Sequence, residues 1–301
     1  MTIRTIALVM GAIACATPTA AQHLTEVWRT GGFEGPESVS YDAERQVLYV
    51  SNIVGEVTAK DGNGYISRLD LDGNVIDMKW VTGLNAPKGG TVFGSALFVT
   101  DIDELVEIHI PTSQLRSQFI TLGDGAIFFN DVAAVGDVLA LAIEDEHPEV
   151  YVSDTFANTI WLLKGGALAV WYDQGGLDGP NGLTVLDGKL IVAELGDVSG
   201  GFANLVPGTV KQIDLETKAL TEFGPPGQIG ALDGIEPNGR GGVTVTDNSG
   251  GRLLEFMPGE PETLIAEIEP GSADHEWVPE LNLFVIPNLQ TGEVVAYLLS
   301  E

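Results

Sequence analysis

The sequence predicts an all-β fold: a six-bladed β-propeller of four-stranded blades, with an N-terminal strand closing the last blade. Three observations predict it. The first is a recurring phrase in which one polar residue opens a short strand. Its centres are Glu37, Lys88, Asn130, Asn181, Asp233 and Asp274, at intervals of 51, 42, 51, 52 and 41 residues. A self-similar period of that size marks a propeller or a solenoid. The second is a succession of four- to six-residue β-rich runs separated by turn signals, with no helical periodicity of useful length outside the first residues. The third is a match between Glu26–Gly31 and Met78–Gly83, the outer strand of the first unit.

The elements follow in order. After each polar residue comes a small inner strand, and then a second strand ending in a polar cluster. The second strands are read at Val47–Asn52, Ala96–Asp101, Val150–Asp154, Lys189–Glu194, Gly242–Asp247 and Leu283–Asn288. Third strands are expected at Gly64–Leu69, Leu105–Ile110, Thr159–Leu163, Thr209–Ile213, Arg252–Phe256 and Glu293–Leu298. Fourth strands are expected at Val75–Thr82, Leu115–Ile120, Ala167–Tyr172, Ala219–Phe223 and Thr263–Ile268. The sixth unit lacks a fourth strand, so residues 24–30 are expected to supply it. Closing the array in this way removes exposed strand edges.

Residues 1–21 are read as a secretory signal peptide, leaving 22–301 as the propeller. Arg4 is the basic start, Ile6 to Ala16 a short apolar run, and Thr19-Ala20-Ala21 a small-residue cleavage site. A periplasmic or secreted protein is expected. The only cysteine, Cys15, lies in the leader; a lipoprotein beginning at Cys15 is the alternative, against which Ala12-Ile13-Ala14 makes a poor lead-in. A chain cut after Ala21 has no thiol and no disulfide. No later run is long and apolar enough for a membrane span.

The chain has 43 acidic and 14 basic residues and a net charge of −29; loss of Arg4 with the leader takes it to −30. Such a surface repels phosphate backbones, which excludes nucleic acid as a partner, and it concentrates cations. Solubility is the plain reading of most of this excess.

The six polar residues face one axial channel, and three carboxylates in one small space demand a cation. Hard oxygen donors suit Ca²⁺, with Mg²⁺ or Mn²⁺ as alternatives. The competing reading is that Asn-Gly and Asp-Gly are turn dipeptides. It explains any one position but not the same register in every unit.

The ordered set Gly35-Pro36-Glu37, Phe129-Asn130-Asp131, Gly179-Pro180-Asn181-Gly182 and Leu232-Asp233-Gly234 resembles the senescence-marker-protein/gluconolactonase/luciferin-regenerating-enzyme superfamily. The four-ligand pattern is most similar to paraoxonase and diisopropyl-fluorophosphatase. The resemblance spans the whole mature chain. It implies a central Ca²⁺ held by Glu37, Asn130, Asn181 and Asp233, and hydrolysis of lactones, esters or organophosphate-like substrates. Asp233 would then be general base or nucleophile, with His275 considered as a proton shuttle. Lys88 departs from that pattern; it is expected to pair with Glu37 or Asp131, or else to contact substrate, and Asp274 is a second candidate substrate contact. The second unit also lacks the Arg-x-Asn pair of the gluconolactonase branch.

Other templates are absent: no Gly-x-Ser-x-Gly elbow, no His-Glu-x-x-His and no Gly-x-x-x-x-Gly-Lys. Asp70-Leu71-Asp72-Gly73 reads as a turn. Topology places Ile53–Asn63 and the insertion Leu195–Gly208 over the ring as candidate lids, and Glu144–Glu149 on the opposite face. Two function classes follow, a Ca²⁺-dependent lactonase or esterase acting as a monomer on a small molecule, and a non-catalytic ligand- or protein-binding propeller with a structural cation. A strictosidine-synthase-like condensing propeller is disfavoured, since no residue is an evident amine-handling catalyst.

Overall fold

The computed structural model describes residues 23–120, 127–136 and 148–300. Within these, short apolar runs punctuated by turns form six four-stranded antiparallel sheets arranged as the blades of a propeller. Strand β1 (His23–Gly31) comes first in the chain and belongs to the last blade. Blade one is β2 (Pro36–Asp42), β3 (Val47–Asn52), β4 (Gly64–Asp70) and β5 (Val75–Leu84). Blade two is β6 (Pro87–Phe93), β7 (Ala96–Asp101), β8 (Glu104–His109) and β9 (Gln114–Ile120). Blade three is β10 (Phe129–Val135), β11 (Glu149–Asp154), β12 (Thr159–Lys164) and β13 (Ala167–Tyr172). Blade four opens with β14 (Pro180–Leu186) and β15 (Lys189–Glu194). A small separate ladder, β16 (Gly196–Asp197) with β17 (Val206–Pro207), interrupts it before β18 (Val210–Asp214) and β19 (Leu220–Glu222). Blade five is β20 (Leu232–Pro237), β21 (Val243–Asp247), β22 (Arg252–Phe256) and β23 (Thr263–Glu267). Blade six is β24 (Glu276–Val278), β25 (Leu283–Asn288), β26 (Glu293–Ser300) and β1.

The strand bounds agree with the sequence reading to within a few residues. Among the described residues the helical elements are short 3-10 turns, as at Ile110–Thr112, which ends the third strand of blade two one residue early. The predicted signal peptide, Cys15 within it, and most of Glu144–Glu149 lie outside the described residues.

Each blade is buried on both faces, and the period of two in its strands sends alternate residues to opposite neighbours. Leu48 and Val50 pack toward blade six, while Tyr49 between them packs toward blade two. Val150 and Val152 likewise face blade two, and Tyr151 faces blade four. One apolar cluster fills each of the six gaps between blades. The smallest set of fully buried side chains, Leu253, Ile265, Phe284 and Ile286, lies between blades five and six. A cavity of about 490 Å³ opens there, lined in part by Trp277, Phe284 and Leu299.

Closure works as expected from the Trp-x-Thr-Gly match. β1 pairs antiparallel with β26 from His23↔Ser300 to Gly31↔Glu293. The strand also ties back to blade one. Trp28 Nε1 donates to Leu71 O at 2.9 Å, and Thr30 Oγ1 to Gly73 O at 2.7 Å. Arg29 reaches Glu293 at 2.7 Å, Glu26 at 2.8 Å and Glu269 of blade five at 3.2 Å. These ion pairs are half-exposed and contribute little individually; the strand pairing and the Trp28 contact carry the closure.

A Trp28→Ala variant is therefore expected to lose about 2–3 kcal/mol of unfolding free energy, since a half-buried indole gives less than the full core value. Urea denaturation followed by fluorescence measures it, and an unchanged midpoint would show that the ring does not depend on this latch.

Candidate functional site

The site is built by one local irregularity repeated in five blades. The register between the first two strands slips between Pro36 and Val39, Pro87 and Gly90, Phe129 and Val132, Pro180 and Leu183, and Leu232 and Ile235. Two inner-strand residues thereby oppose one residue of the second strand, which is a β-bulge, a feature that re-aims side chains. The first bulged residue is in turn Glu37, Lys88, Asn130, Asn181 and Asp233. The bulge leaves a backbone N–H without a ladder partner, and a hydroxyl of the second strand accepts it. Ser51 Oγ takes Ser38 N at 3.0 Å, Ser153 Oγ takes Asp131 N at 2.9 Å, and Thr246 Oγ1 takes Gly234 N at 2.9 Å.

The next residue along the second strand holds the lead-in. Asp101 accepts Asn85 N and Ala86 N at 2.8 and 2.7 Å, Asp154 accepts Ile127 N and Phe128 N at 2.9 and 3.0 Å, and Glu194 accepts Asp178 N at 2.8 Å. The polar ends of the second strands are thus braces for the ring residues, a role the sequence shows only as a recurring Ser/Thr-Asp/Asn pair.

Glycine after the ring residue has a different reason from the one the dipeptides suggest. Gly182 and Gly234 lie in strands, not turns. A Cβ on Gly182 would sit 2.1 Å from Asp233 O, and one on Gly234 would sit 2.4 Å from an Asp274 carboxylate oxygen. The blades approach too closely for any side chain.

Of the four candidate ligands, Asn181 and Asp233 are in direct contact. Asn181 Nδ2 donates to Asp233 Oδ1 at 3.2 Å and to Leu232 O at 3.1 Å, and Asn248 Nδ2 donates to Asp233 Oδ2 at 2.9 Å. Asn130 Nδ2 donates to Thr155 Oγ1 at 3.2 Å, and that hydroxyl donates to Pro180 O at 2.8 Å, beside Asn181. Both amide nitrogens are therefore engaged, while the amide oxygens accept no hydrogen bond among the described residues. Glu37 is 5 % exposed and its Oε2 is buried without a partner. Burial, then the Asp233 charge, hold the Glu37 carboxyl well above its usual range, with Lys88 opposing. Burial pushes Asp233 up to about 7 against the lowering effect of Asn248 and Asn181.

This donor set fits a hard cation. Two carboxylates and two carboxamides present oxygen, and an orphaned buried carboxylate oxygen is a cost that a cation would remove. Among the described residues no three His, Cys, Asp or Glu side chains form a metal-holding group on their own; the candidate set contains only two such residues.

Lys88 corrects an expectation. It closes no ion pair with Glu37 or Asp131. Its ammonium, on a residue 2 % exposed, donates to Ala86 O at 3.0 Å and lies 4.3 Å from the centroid of the Phe128 ring. Burial lowers its pKa to about 8, the Glu37 and Asp101 charges opposing. The side chain folds back on its own lead-in, between the Ala86 carbonyl and the Phe128 ring.

Asp274 and His275 lie elsewhere than the four. Asp274 N donates to Glu37 O at 2.9 Å, and Asp274 Oδ2 accepts Ser38 Oγ at 2.7 Å, so this residue closes blade six onto blade one. Its carboxylate lines a cavity of about 200 Å³ beyond the bulges, together with Asp131, Glu236 and Glu276. Burial raises Asp131 and Glu276 to about 7, and Glu236 and Asp274 also rise. His275 is packed between blades five and six. It is fully buried, bonds Thr244 Oγ1 through Nε2 at 2.9 Å, sits 5.8 Å from the Phe284 ring, and falls to about 3 through burial. An imidazole that stays neutral and sealed in this way is no proton shuttle.

Sequence reasoning missed Asn248, Thr155, Glu236 and Glu276, and it named Asp131 only as a partner for Lys88. The signal for Asp131 was present, since a bulge sets two consecutive residues toward the axis. Asp70-Leu71-Asp72-Gly73 is a turn, with Asp70 Oδ1 accepting Asn74 N at 2.8 Å and Asp72 N at 3.0 Å. The insertion 195–208 does reach the ring face, through Phe202.

No protein-family model matches the chain, and no curated protein sequence does. Solved structures share the fold. A gluconolactonase of Xanthomonas campestris is 13% identical with a TM-score of 0.67, over 93% of this chain and 91% of that one. Virginiamycin B lyase from Staphylococcus aureus is 12% identical with a TM-score of 0.63, over 93% and 100%. A chain of a nidogen/laminin complex is 14% identical with a TM-score of 0.56, over 79% and 90%.

Two expectations follow. In ion-free protein, Asp233 and Asp131 titrate near 7 when folded and near 3.8 when unfolded. The folded state therefore binds more protons between those values, and stability falls as pH rises from about 4 to about 7. Ca²⁺ is expected to raise the melting temperature by about 5 °C at pH 7.5, and by less at pH 5. Equal shifts at both pH values, read by differential scanning calorimetry against chelator, would remove Asp233 from the ion site. Gly182→Ala is expected to cost about 1–3 kcal/mol by overpacking, visible as a lower urea midpoint; a neutral result would mean that blades four and five can separate without loss.

Proposed function

We propose that the protein is a metal-dependent hydrolase of lactones or esters, with Ca²⁺ (or Mg²⁺ or Mn²⁺) held in the axial well by Glu37, Asn130, Asn181 and Asp233. The observation that carries this reading is the unpartnered, buried Oε2 of Glu37, a carboxylate that feels the Asp233 charge, while Asp233 itself is bonded to Asn181. The gluconolactonase and lyase neighbours support a catalytic use of this fold at low identity, as does the resemblance of the ring motifs to paraoxonase and diisopropyl-fluorophosphatase. The leader read over residues 1–21 would deliver a monomer to the periplasm or the exterior.

Glu37, Asn130, Asn181 and Asp233 would hold the divalent ion, which when bound would supply Lewis-acid polarisation of the substrate carbonyl and a counter-charge for its oxygen. The remaining roles fall to the chain. Asn181 and Asn248 fix the Asp233 carboxylate from both sides, so it can accept a proton from the attacking water, or itself attack, without reorienting. Lys88 has three N–H donors and spends one on Ala86 O. The others can meet a substrate oxygen, and Phe128 holds the side chain in place. Asp274, below the bulges, is assigned to ring closure instead of substrate contact.

The second reading is a binding propeller with a structural cation. It is favoured by one observation, that both Asp233 oxygens already accept hydrogen bonds. The nidogen/laminin neighbour belongs to a protein complex and shares the architecture, so architecture does not separate the two readings.

Asp233→Asn is expected to lower lactone hydrolysis by at least about 100-fold while the protein stays folded, and chelation is expected to abolish the wild-type rate. A wild-type protein that melts higher with Ca²⁺ but hydrolyses nothing in a lactone and ester panel would establish the binding module instead.

A further inference from the structure

A file of phenyl rings runs outward from the Lys88 ammonium. Phe128 ends the lead-in to β10, two residues before Asn130. Phe156 follows Thr155, whose hydroxyl accepts from Asn130 Nδ2. Phe202 stands on the 3-10 turn Phe202–Asn204, which the β16–β17 ladder presents from the blade-four insertion. The Phe128 and Phe156 rings stack at 4.4 Å and 21°, and Phe156 meets Phe202 at 6.1 Å and 59°. The inner end of this file touches the Lys88 ammonium. Exposure climbs along it, from 6 % at Phe128 to 64 % at Phe202, and Ile127 beside Phe128 is 55 % exposed.

A single exposed apolar side chain needs no explanation. Here, however, three rings from three separate segments form one continuous track, from next to a candidate ion ligand out to solvent. The outermost is delivered by the blade-four insertion, which among the described residues is the one that carries its own small ladder. Phenyl faces give a polyhydroxylated substrate no hydrogen-bond partners, so each hydroxyl laid against them would lose its water without return. An alkyl or aryl chain loses nothing and removes apolar surface from water on both sides.

We infer that Phe128, Phe156 and Phe202 form the subsite for an apolar substituent of the substrate, and that the substrate class is alkyl- or aryl-substituted lactones and esters, not sugar lactones. This rests on the hydrolase reading, and adds to it which end of the substrate goes where: the carbonyl toward the well, the chain along the rings toward Phe202. Phe202 is then a specificity residue and takes no part in bond breaking.

Two measurements test it on the Ca²⁺-loaded mature protein. In the first, γ-butyrolactone, γ-octalactone and γ-dodecalactone are compared for wild type, Phe202→Ala and Phe202→Trp. kcat/KM is expected to rise about threefold per methylene over the first few carbons. Phe202→Ala is expected to lose about tenfold on γ-dodecalactone, through KM, with γ-butyrolactone within twofold of wild type, and Phe202→Trp is expected to restore the preference. In the second, the neutral fluorophore N-phenyl-1-naphthylamine is titrated into wild type and Phe202→Ala, with melting curves confirming that both are folded. Binding about tenfold tighter to wild type, competed by γ-dodecalactone, supports the subsite without any turnover. Hydrolysis that ignores chain length and Phe202 overturns the inference and leaves the hydrolase reading standing. Absence of all hydrolysis sinks the hydrolase reading, and the fluorophore then decides alone: equal binding to wild type and Phe202→Ala overturns the apolar subsite as well.

Discussion

The bulge at the start of each inner strand is the constraint from which the rest of this molecule follows. A regular ladder would send alternate inner-strand residues into the two neighbouring blade gaps and leave none for the axis. One extra residue turns a side chain inward and costs a backbone hydrogen bond. Second-strand hydroxyls accept the freed N–H in blades one, three and five, and the carboxylate or amide one position later catches the chain on its way in. In blades two and five the second-strand threonine also donates onward, from Thr100 to Asn130 O at 2.6 Å and from Thr246 to Ala273 O at 2.8 Å. The positions of Asn130 and of the residue before Asp274 are thereby set partly by the preceding blade. Precise placement of that kind is what an ion site or a catalytic group requires, because small displacements are costly there.

Convergence has an electrostatic consequence. Closing the ring brings Glu37, Asp131, Asp233 and Asp274 around one axis, with Lys88 as the ring's cation turned toward an aromatic face and its own backbone. Burial then raises all four carboxyl groups, and their mutual charges raise Glu37 and Asp274 further. Folding alone concentrates negative potential that the chain does not neutralise. A cation in the well would relieve this strain, so ion binding and fold stability are coupled in the proposed reading.

The architecture was legible because its signals are local and repeated. The phrase interval, the strand–turn succession and the Trp-x-Thr-Gly match between Glu26–Gly31 and Met78–Gly83 each specify an element without knowledge of the others. The ring residues were legible for the same reason. What stayed hidden depends on relations between blades. Gly182 and Gly234 look like turn formers, and their actual reason is a neighbouring backbone about 2 Å from where a Cβ would be. Asp131 is invisible to an alignment that takes one residue per repeat, since only the bulge reveals that its neighbour also faces inward. His275 follows a ring residue, yet β24 opens there and turns it into the gap between blades five and six, against Thr244 and Phe284. Lys88 read as half of an ion pair because charge is visible in sequence, whereas the ring of Phe128, forty residues away, becomes its neighbour only through the blade geometry.

Regularity and its breaches divide the labour. Rotational repetition supplies convergence, and a site made only of repeats would be a symmetric polar well with no means of telling one substrate from another. Each departure from the repeat adds direction. Blade two places an ammonium where the neighbouring blades place amides or carboxylates, blade six shortens its inner strand to three residues, and blade four interrupts its sheet with a ladder that lifts Phe202 over the rim. The ammonium and the lifted ring meet the same Phe128–Phe156 stack from opposite ends, one buried and one in solvent. In the proposed reading, a substrate lying along that stack would run from an apolar surface to a cation to the oxygen donors of the ring, a gradient with a fixed polarity.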